Sequence, residues 1–181
     1  PSGARQSITV KPQLADVGSP PSPFVYVATG RYLGSSDLAS TQIQSIYGIK
    51  DPLGSTPIAD LRASTKNYTI TTSGTTRTIT CTSNCSSTDG WVVNLPDSGE
   101  RVNIDIKLEL GTLTVASNVP DSSACNIGGY SWQNFFDAAS GLKVSGAANL
   151  GSRLSSSLAV GLNVVRLPDG RVVVISTTSD A

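Results

Sequence analysis

The sequence of 181 residues contains no histidine and no methionine. The lack of histidine excludes every catalytic scheme that uses an imidazole as a base or a metal ligand. The lack of methionine means that Pro1 is not a translational start, so we expect a processed piece of a longer chain. The first of these absences narrows the catalytic mechanisms open to the chain.

Charged residues are also scarce, at 14% of the chain, and 13 basic residues balance 13 acidic ones. Because no basic cluster is present, binding to nucleic acid is disfavoured, and so is a basic helix lying on a membrane. Every apolar run is shorter than the roughly 18 residues of a membrane span. Serine, threonine, asparagine and glycine fill the remaining positions, which is typical of all-β extracellular proteins.

Cysteine is rare and odd in number: Cys81, Cys85 and Cys125. In an oxidising compartment two of them would pair and the third would be left over. Cys81 and Cys85 could close a short local loop, whereas a longer link from either one to Cys125 is equally compatible with the sequence. A zinc site is disfavoured, because three thiols without an imidazole do not fill four ligand positions.

Alternating β-branched and aromatic residues predict that strands dominate the chain. Residues 1–23 are polar and proline-rich, and we expect a surface linker there, in which residues 8–11 could form a short edge strand. Residues 24–181 form the predicted folded part, which closes with a hairpin over 162–175 around Pro168-Asp169-Gly170. The other predicted elements are strands at 24–28, 42–50, 91–95, 101–110, 113–119 and 130–136, a solvated threonine-rich two-stranded arm at 69–82, and a short helix capped by Thr56.

Two stretches repeat the same order of features. Residues 25–54 and 113–141 each hold a strand, an excursion, and a second strand that ends in aromatic residues, aspartate and a glycine turn. Repeats of about 40–50 residues are typical of β-propeller blades, whose small sheets bury each other's faces. We therefore predict an all-β fold of antiparallel sheets, about three to four propeller blades, in preference to a β-sandwich.

Four stretches together carry a family pattern. They are VYVATGRYLGSSDLASTQIQSIYGIKDP (25–52), GWVVNLPDSGERV (90–102), NVPDSSACNIGGYSWQNFFDAASG (118–141) and VGLNVVRLPDGRVVVIS (160–176). In sequence and in order they resemble the C-terminal half of the PilY/PilC family, the tip-associated adhesins of bacterial type IV pili. The resemblance covers most of residues 24–176.

This resemblance implies a large secreted protein whose C-terminal domain is a modified β-propeller. It implies an extracellular position at the pilus tip on the bacterial surface, with minor pilins and a host or abiotic surface as partners. The implied roles are pilus assembly, opposition to retraction, and attachment. A purely structural segment that completes a larger secreted scaffold is the alternative.

Members of the family also carry a calcium loop of the Asp-x-Asp-x-Asp type. The nearest stretch here, residues 103–107, has Lys107 where a carboxylate is needed. We therefore expect no cofactor in this fragment, and expect any such loop in the parent protein to lie before Pro1.

Quinoprotein dehydrogenases are the enzymatic alternative, because they use propellers with similar blade ends. They need cofactor-stacking tryptophans, adjacent cysteines and a calcium ion held by acidic side chains. This sequence has no adjacent cysteines, and its tryptophans are only Trp91 and Trp132. We therefore predict that the chain is not an enzyme.

Four residues are predicted to hold neighbouring blades together: Trp91, Glu100, Arg101 and Trp132. Glu100 and Arg101 could instead form a ligand-binding charge pair, since a guanidinium binds carboxylates well. Trp132, Phe135 and Phe136 could form an adhesive patch, but aromatic residues at blade ends more often fill the space between blades.

A propeller with so few blades would leave sheet faces and edges exposed. We therefore expect another fragment or chain to supply the remaining blades.

Overall fold

The computed structural model describes residues 5–54, 60–121 and 128–179. Within these ranges it contains twelve β-strands, one short α-helix and one 3₁₀ turn at Ser35–Asp37. The strands are β1 (Gln13–Val17), β2 (Ser22–Ala28), β3 (Ser45–Lys50), β4 (Lys66–Ser73), β5 (Thr76–Ser83), β6 (Gly90–Asn94), β7 (Lys107–Glu109), β8 (Thr112–Pro120), β9 (Gly129–Asp137), β10 (Gly151–Ser155), β11 (Ala159–Arg166) and β12 (Val172–Thr178). The helix α1 spans Leu61–Ser64.

Ten of these strands form one hydrogen-bonded sheet. Their order across the sheet is β1-β2-β3-β6-β4-β5-β10-β9-β8-β7. Neighbouring strands are antiparallel, except that β4 runs parallel to β6. The last two strands, β11 and β12, form a separate antiparallel hairpin. The predicted all-β fold with antiparallel pairing is therefore confirmed.

The ten-stranded sheet curls around one hydrophobic core. A row of aromatic rings runs from Phe24 through Tyr26 and Trp91 to Phe136, with ring centroids 5.9, 6.2 and 5.5 Å apart. Because β6 carries Trp91 and β9 carries Phe136, strands that are distant in the sheet meet in the interior. The sheet is nearly closed, and β1 and β7 are its two free ends.

This closure changes one expectation from the sequence. The inner faces of the described strands are filled by side chains of the same chain, so the exposed inner faces expected of a short propeller segment are not found in the described ranges. The unpaired sheet edges that we expected are present, at β1 and β7.

The two repeated stretches form similar units. Residues 25–54 contain the antiparallel pair β2 and β3, and residues 113–141 contain most of the antiparallel pair β8 and β9. The predicted closing hairpin is also present as β11 and β12, with the Pro-Asp-Gly turn between them. The hairpin packs on β8 through a small cluster of Ala116, Ala159 and Leu162.

The prediction for the N-terminal segment is wrong in part. Residues 8–11 are not a strand, whereas Gln13–Val17 forms β1 and pairs with β2 over its whole length. Strand β2 is aromatic and buried, and its second edge must find hydrogen-bond partners. The backbone of β1 provides them, although this strand lies in the proline-rich segment that was expected to be a linker.

The threonine-rich arm is likewise not a free two-stranded hairpin. Its strands are inserted in the sheet, because β4 also pairs with β6 and β5 also pairs with β10. Alternation places Tyr68, Ile70 and Arg77 inside, while the threonines between them face solvent.

Residues 101–110 do not form the continuous strand that their alternation predicted. Arg101 makes an isolated bridge to Asn118, and only Lys107–Glu109 forms a strand. Val102 and Ile106 are both fully buried, so the segment follows the core surface as a loop. A short helix is present in the predicted stretch as α1, and Asp60 caps it by accepting hydrogen bonds from the backbone of Arg62 and Ala63. The predicted cap, Thr56, lies in residues 55–59, outside the described residues.

Candidate functional site

Trp91 lies at the centre of the core and binds the turn that follows β9. Its indole is fully buried and stacks on Phe136, and its Nε1 donates a hydrogen bond of 2.9 Å to the carbonyl of Ala138. The hydroxyl of Tyr26 donates to the same carbonyl, and that of Tyr68 donates to the carbonyl of Ser140. Aromatic donors from β2, β4 and β6 therefore hold one turn.

Burial and the nearby carboxylate of Asp137 both raise the pKa of Tyr26 and of Tyr68 above the ordinary value of 10.0. Both hydroxyls therefore stay protonated and remain hydrogen-bond donors at physiological pH.

Two glycines make room for the Trp91 indole. A Cβ added at Gly48 would lie 2.4 Å from Cε2 of Trp91, and one at Gly141 would lie 2.5 Å from Cδ2. Gly141 also has a φ of 76°, a conformation that favours glycine. The ring therefore lies between two backbone segments that cannot carry side chains.

Glu100 forms a buried ion pair with Arg77. The guanidinium of Arg77 donates to both carboxylate oxygens at 2.7 and 2.9 Å, and the side chains of both residues are completely buried. Ser117 Oγ and the backbone N–H of Asp97 also donate to this carboxylate. The pair joins β5 to the turn before Arg101 and to β8, and its charges are neutralised inside the protein.

Trp132 completes the surroundings of Arg77. The guanidinium carbon lies 3.9 Å from the centroid of the Trp132 ring, within the range of a cation–π interaction. Nε1 of Trp132 and the hydroxyl of Tyr130 both donate to Oδ2 of Asp97, which also lies 3.2 Å from Nη2 of Arg77. Burial, followed by this bond to Asp97, raises the pKa of Tyr130 to about 12.

Arg101 binds backbone carbonyls rather than a carboxylate. Its Nε donates to Gly99, its Nη1 to Arg31 and Asp37, and its Nη2 to Ser40. Burial lowers the pKa of this guanidinium. Arg101 therefore fixes the excursion between β2 and β3, and Glu100 and Arg101 bind different partners rather than each other.

The placement of the aromatic residues bears on the predicted adhesive patch. Trp132 and Phe136 are buried and face the interior. Phe135 points to the opposite face of β9 and is only partly buried. The three side chains therefore do not form one exposed surface.

Cys81 and Cys85 form a disulfide with an S–S distance of 2.01 Å. It closes the loop after β5, in which Asn84 Nδ2 donates to the carbonyl of Ala63 at the end of α1. Cys125, the third cysteine predicted to take part in pairing, lies outside the described residues.

The sequence analysis predicted a role for Glu100 but not for Arg77 and Asp97, which form a cluster of ion pairs with it. A signal for Arg77 was present, because strand alternation puts it on the same face as Ile79 and Cys81. Asp97 gave no such signal, since an aspartate after Pro96 is equally typical of a turn.

A metal centre has no obvious donor set in the described part of the chain. No group of three or more histidine, cysteine or acidic side chains comes together there. Asp105, in the stretch nearest to a calcium loop, instead accepts a hydrogen bond from the backbone N–H of Lys11. Nor do the described ranges contain a helix long and apolar enough to cross a membrane.

Comparisons with known proteins found a sequence relative and a solved structure with a similar fold. No protein-family model matches the chain. A curated protein described as a "Type IV pilus biogenesis factor PilY1 homolog", from Xylella fastidiosa, is 33% identical over 169 residues. The chain is related to the PilY1 proteins. The alignment covers 87% of the chain but only 11% of that relative, so the activity of the whole PilY1 homologue does not pass directly to this chain.

The fold likewise matches a PilY1 structure. The crystal structure of the Pseudomonas aeruginosa PilY1 C-terminal domain superimposes with a TM-score of 0.77 and 20% sequence identity. The match covers 97% of this chain and 44% of the PilY1 chain. At this identity the likeness shows the fold alone. Together with the 33% identity to the PilY1 homologue, it confirms the predicted resemblance to the C-terminal part of the family.

Proposed function

We propose that this chain is a non-enzymatic part of a type IV pilus-associated protein and supports pilus assembly. The observation that carries the proposal is its 33% identity to a protein described as a type IV pilus biogenesis factor. The PilY1-like fold supports the same assignment independently of that alignment.

The distribution of charge supports a scaffold rather than a catalyst. The side chains of Arg77, Glu100 and Arg101 are buried and bind other parts of the same chain. The sequence also has no histidine to act as a base. These features support the proposal that the chain acts by binding and positioning partners.

We further propose an extracellular location at the pilus tip, with contacts to minor pilins and to the surface on which the cell attaches. The Cys81–Cys85 disulfide supports an oxidising compartment, since such bonds are rare in the cytosol. The charge-poor composition, rich in serine and threonine, also supports an extracellular location, because it is typical of all-β extracellular proteins.

The experiment removes residues 1–181 from the gene in the bacterium and measures pili on the cell surface separately from attachment. Loss of pili is the expected result and supports a role in assembly. Normal pili with impaired attachment would instead assign the chain to adhesion. Normal pili together with normal attachment would contradict the proposal.

A purely structural role in a larger secreted scaffold is the second candidate. The chain matches 44% of the solved PilY1 domain, which supports the proposal that further blades complete the propeller. An intact mass of the native assembly under denaturing, non-reducing conditions would reveal a second fragment. If such a fragment is bound and the deletion leaves pili and attachment unchanged, the structural role is favoured.

A further inference from the structure

A cleft lies between the two free ends of the ten-stranded sheet. It has a volume of about 510 Å³ and is lined on one side by all five residues of β1 and on the other by Leu108 and Glu109 of β7 with the following turn. We call this space the edge cleft. Within it, Leu14 and Leu110 are 75% and 61% exposed.

Both walls of the edge cleft present unpaired backbone. In the described residues β1 pairs only with β2, and β7 pairs only with β8. The other edge of each strand has N–H and C=O groups that can pair with an added strand. A cleft bounded by two such edges suits an extended peptide better than a compact ligand.

The charges of the edge cleft have a single sign. Its lining contains the carboxylates of Asp16, Glu109 and Asp137 and neither lysine nor arginine among the described residues. Asp137 already accepts hydrogen bonds from Ser140, whereas Asp16 and Glu109 make no ion pair within the described part of the chain. An occupant with lysine or arginine side chains would complement these two carboxylates.

A second cavity continues the edge cleft on the other side of Glu109 and Leu110. This apolar groove, of about 370 Å³, is lined by these two residues together with Phe135, Val144, Val164, Val172 and Val174, among others. It lies against the β11–β12 hairpin, which is outside the main sheet. The groove could therefore accept an apolar side chain from a peptide whose backbone lies in the edge cleft.

We propose that the edge cleft binds an extended, basic segment of a partner protein, which adds a β-strand between β1 and β7 and places an apolar side chain in the apolar groove. Backbone hydrogen bonds would supply affinity, while the carboxylates and the groove would supply specificity. This inference goes beyond the proposed function and does not depend on it, since it concerns binding by the chain in solution.

The test uses a synthetic nonapeptide in which valine and lysine alternate, with blocked termini and a fluorescent label. We expect saturable binding to the chain, measured by fluorescence anisotropy at low salt, and new protection of β1 and β7 amides against hydrogen exchange. Two control peptides should bind at least about tenfold more weakly: one with glutamate in place of lysine, and one with alternate backbone nitrogens methylated.

Matched variants of the protein locate the binding site. Asp16→Lys and Glu109→Lys should each weaken binding of the lysine peptide about tenfold. Asp89→Lys, which reverses an exposed charge outside both cavities, should leave binding unchanged. Circular dichroism of each variant checks that the fold is retained.

Four results would overturn the proposal. One is no saturable binding, and another is equal binding of the methylated peptide. The third is binding to the 181-residue chain but not to the same protein isolated intact from the bacterium, because a strand of that protein would then fill the cleft. The fourth is the formation of concentration-dependent dimers that block peptide binding, because a second copy of this chain, and not a partner's strand, would then occupy the cleft.

Discussion

At the scale of single residues, the charged and aromatic side chains of the interior bind other parts of the same chain. Arg77 and Glu100 neutralise each other, Arg101 binds four backbone carbonyls, and Trp91 fills the space between two glycines. Each interaction joins segments that are distant in sequence. Their loss should therefore affect the stability of the whole fold.

Replacing Glu100 with glutamine should lower the free energy of unfolding by about 3 kcal/mol, because Arg77 would lose its fully buried counterion and keep only the ion pair with the partly exposed Asp97. Urea unfolding measures the change. The control is Asp169→Asn, which breaks the exposed pair with Arg171 and should cost less than about 1 kcal/mol. Equal effects of the two substitutions would contradict the role assigned to the buried pair.

Replacing Gly48 with alanine should destabilise the protein by about 1–3 kcal/mol, since the new Cβ would overlap the Trp91 indole. Gly34 is the matched control, because it has an extended backbone and nothing within 4 Å of an added Cβ. Gly34→Ala should change stability by less than about 0.5 kcal/mol. A neutral Gly48→Ala would show that the Trp91 site is less tightly packed than described.

The stability of the protein should decrease at alkaline pH. Tyr130 has a pKa of about 12 in the folded protein, above the ordinary value of 10.0, so the folded state holds this proton more tightly than the unfolded state. The contribution is complete below pH 10 and is lost as the pH rises towards 12. In urea unfolding across this range, Tyr130→Phe should lose less stability than the wild type, and parallel curves would contradict the prediction.

At the scale of elements, strands with regular alternation and clear turns were predictable, including β2, β6, β8, β9 and the closing hairpin. Strand β1 was not, because its five residues lie in a proline-rich segment and form a strand by pairing with the free edge of β2. The stretch after Arg101 was predicted to be a strand and is mostly a loop. Its apolar residues Val102 and Ile106 are spaced as in a strand, but they fill the core from a loop.

The sequence left open which two cysteines form a disulfide at the loop after β5. In the structure Cys81 and Cys85 are linked, so the tryptic peptide that contains both should be lighter before reduction by the mass of two hydrogen atoms. The double substitution to serine should lower the free energy of unfolding by about 2 kcal/mol, the chain-entropy value for so short a loop. A peptide linking either cysteine to Cys125 would contradict this pairing.

At the scale of the whole molecule, the family resemblance indicated the fold better than the strand pattern did. The repeat of residues 25–54 and 113–141 predicted propeller-like units, and the PilY1 domain has the same fold. Alternation within strands could not reveal that ten strands share one continuous sheet around a single core, or that both ends of this sheet border one cleft. Both features depend on contacts between residues far apart in the sequence.

The central claim is that pilus assembly depends on this folded PilY1-like domain. The most direct measurement is the number of surface pili on bacteria that carry Gly48→Ala, compared with bacteria that carry Gly34→Ala, at a temperature where only the first substitution unfolds the domain. The account predicts few pili with Gly48→Ala and normal numbers with Gly34→Ala. Normal pili on cells in which the Gly48→Ala domain is demonstrably unfolded would contradict it.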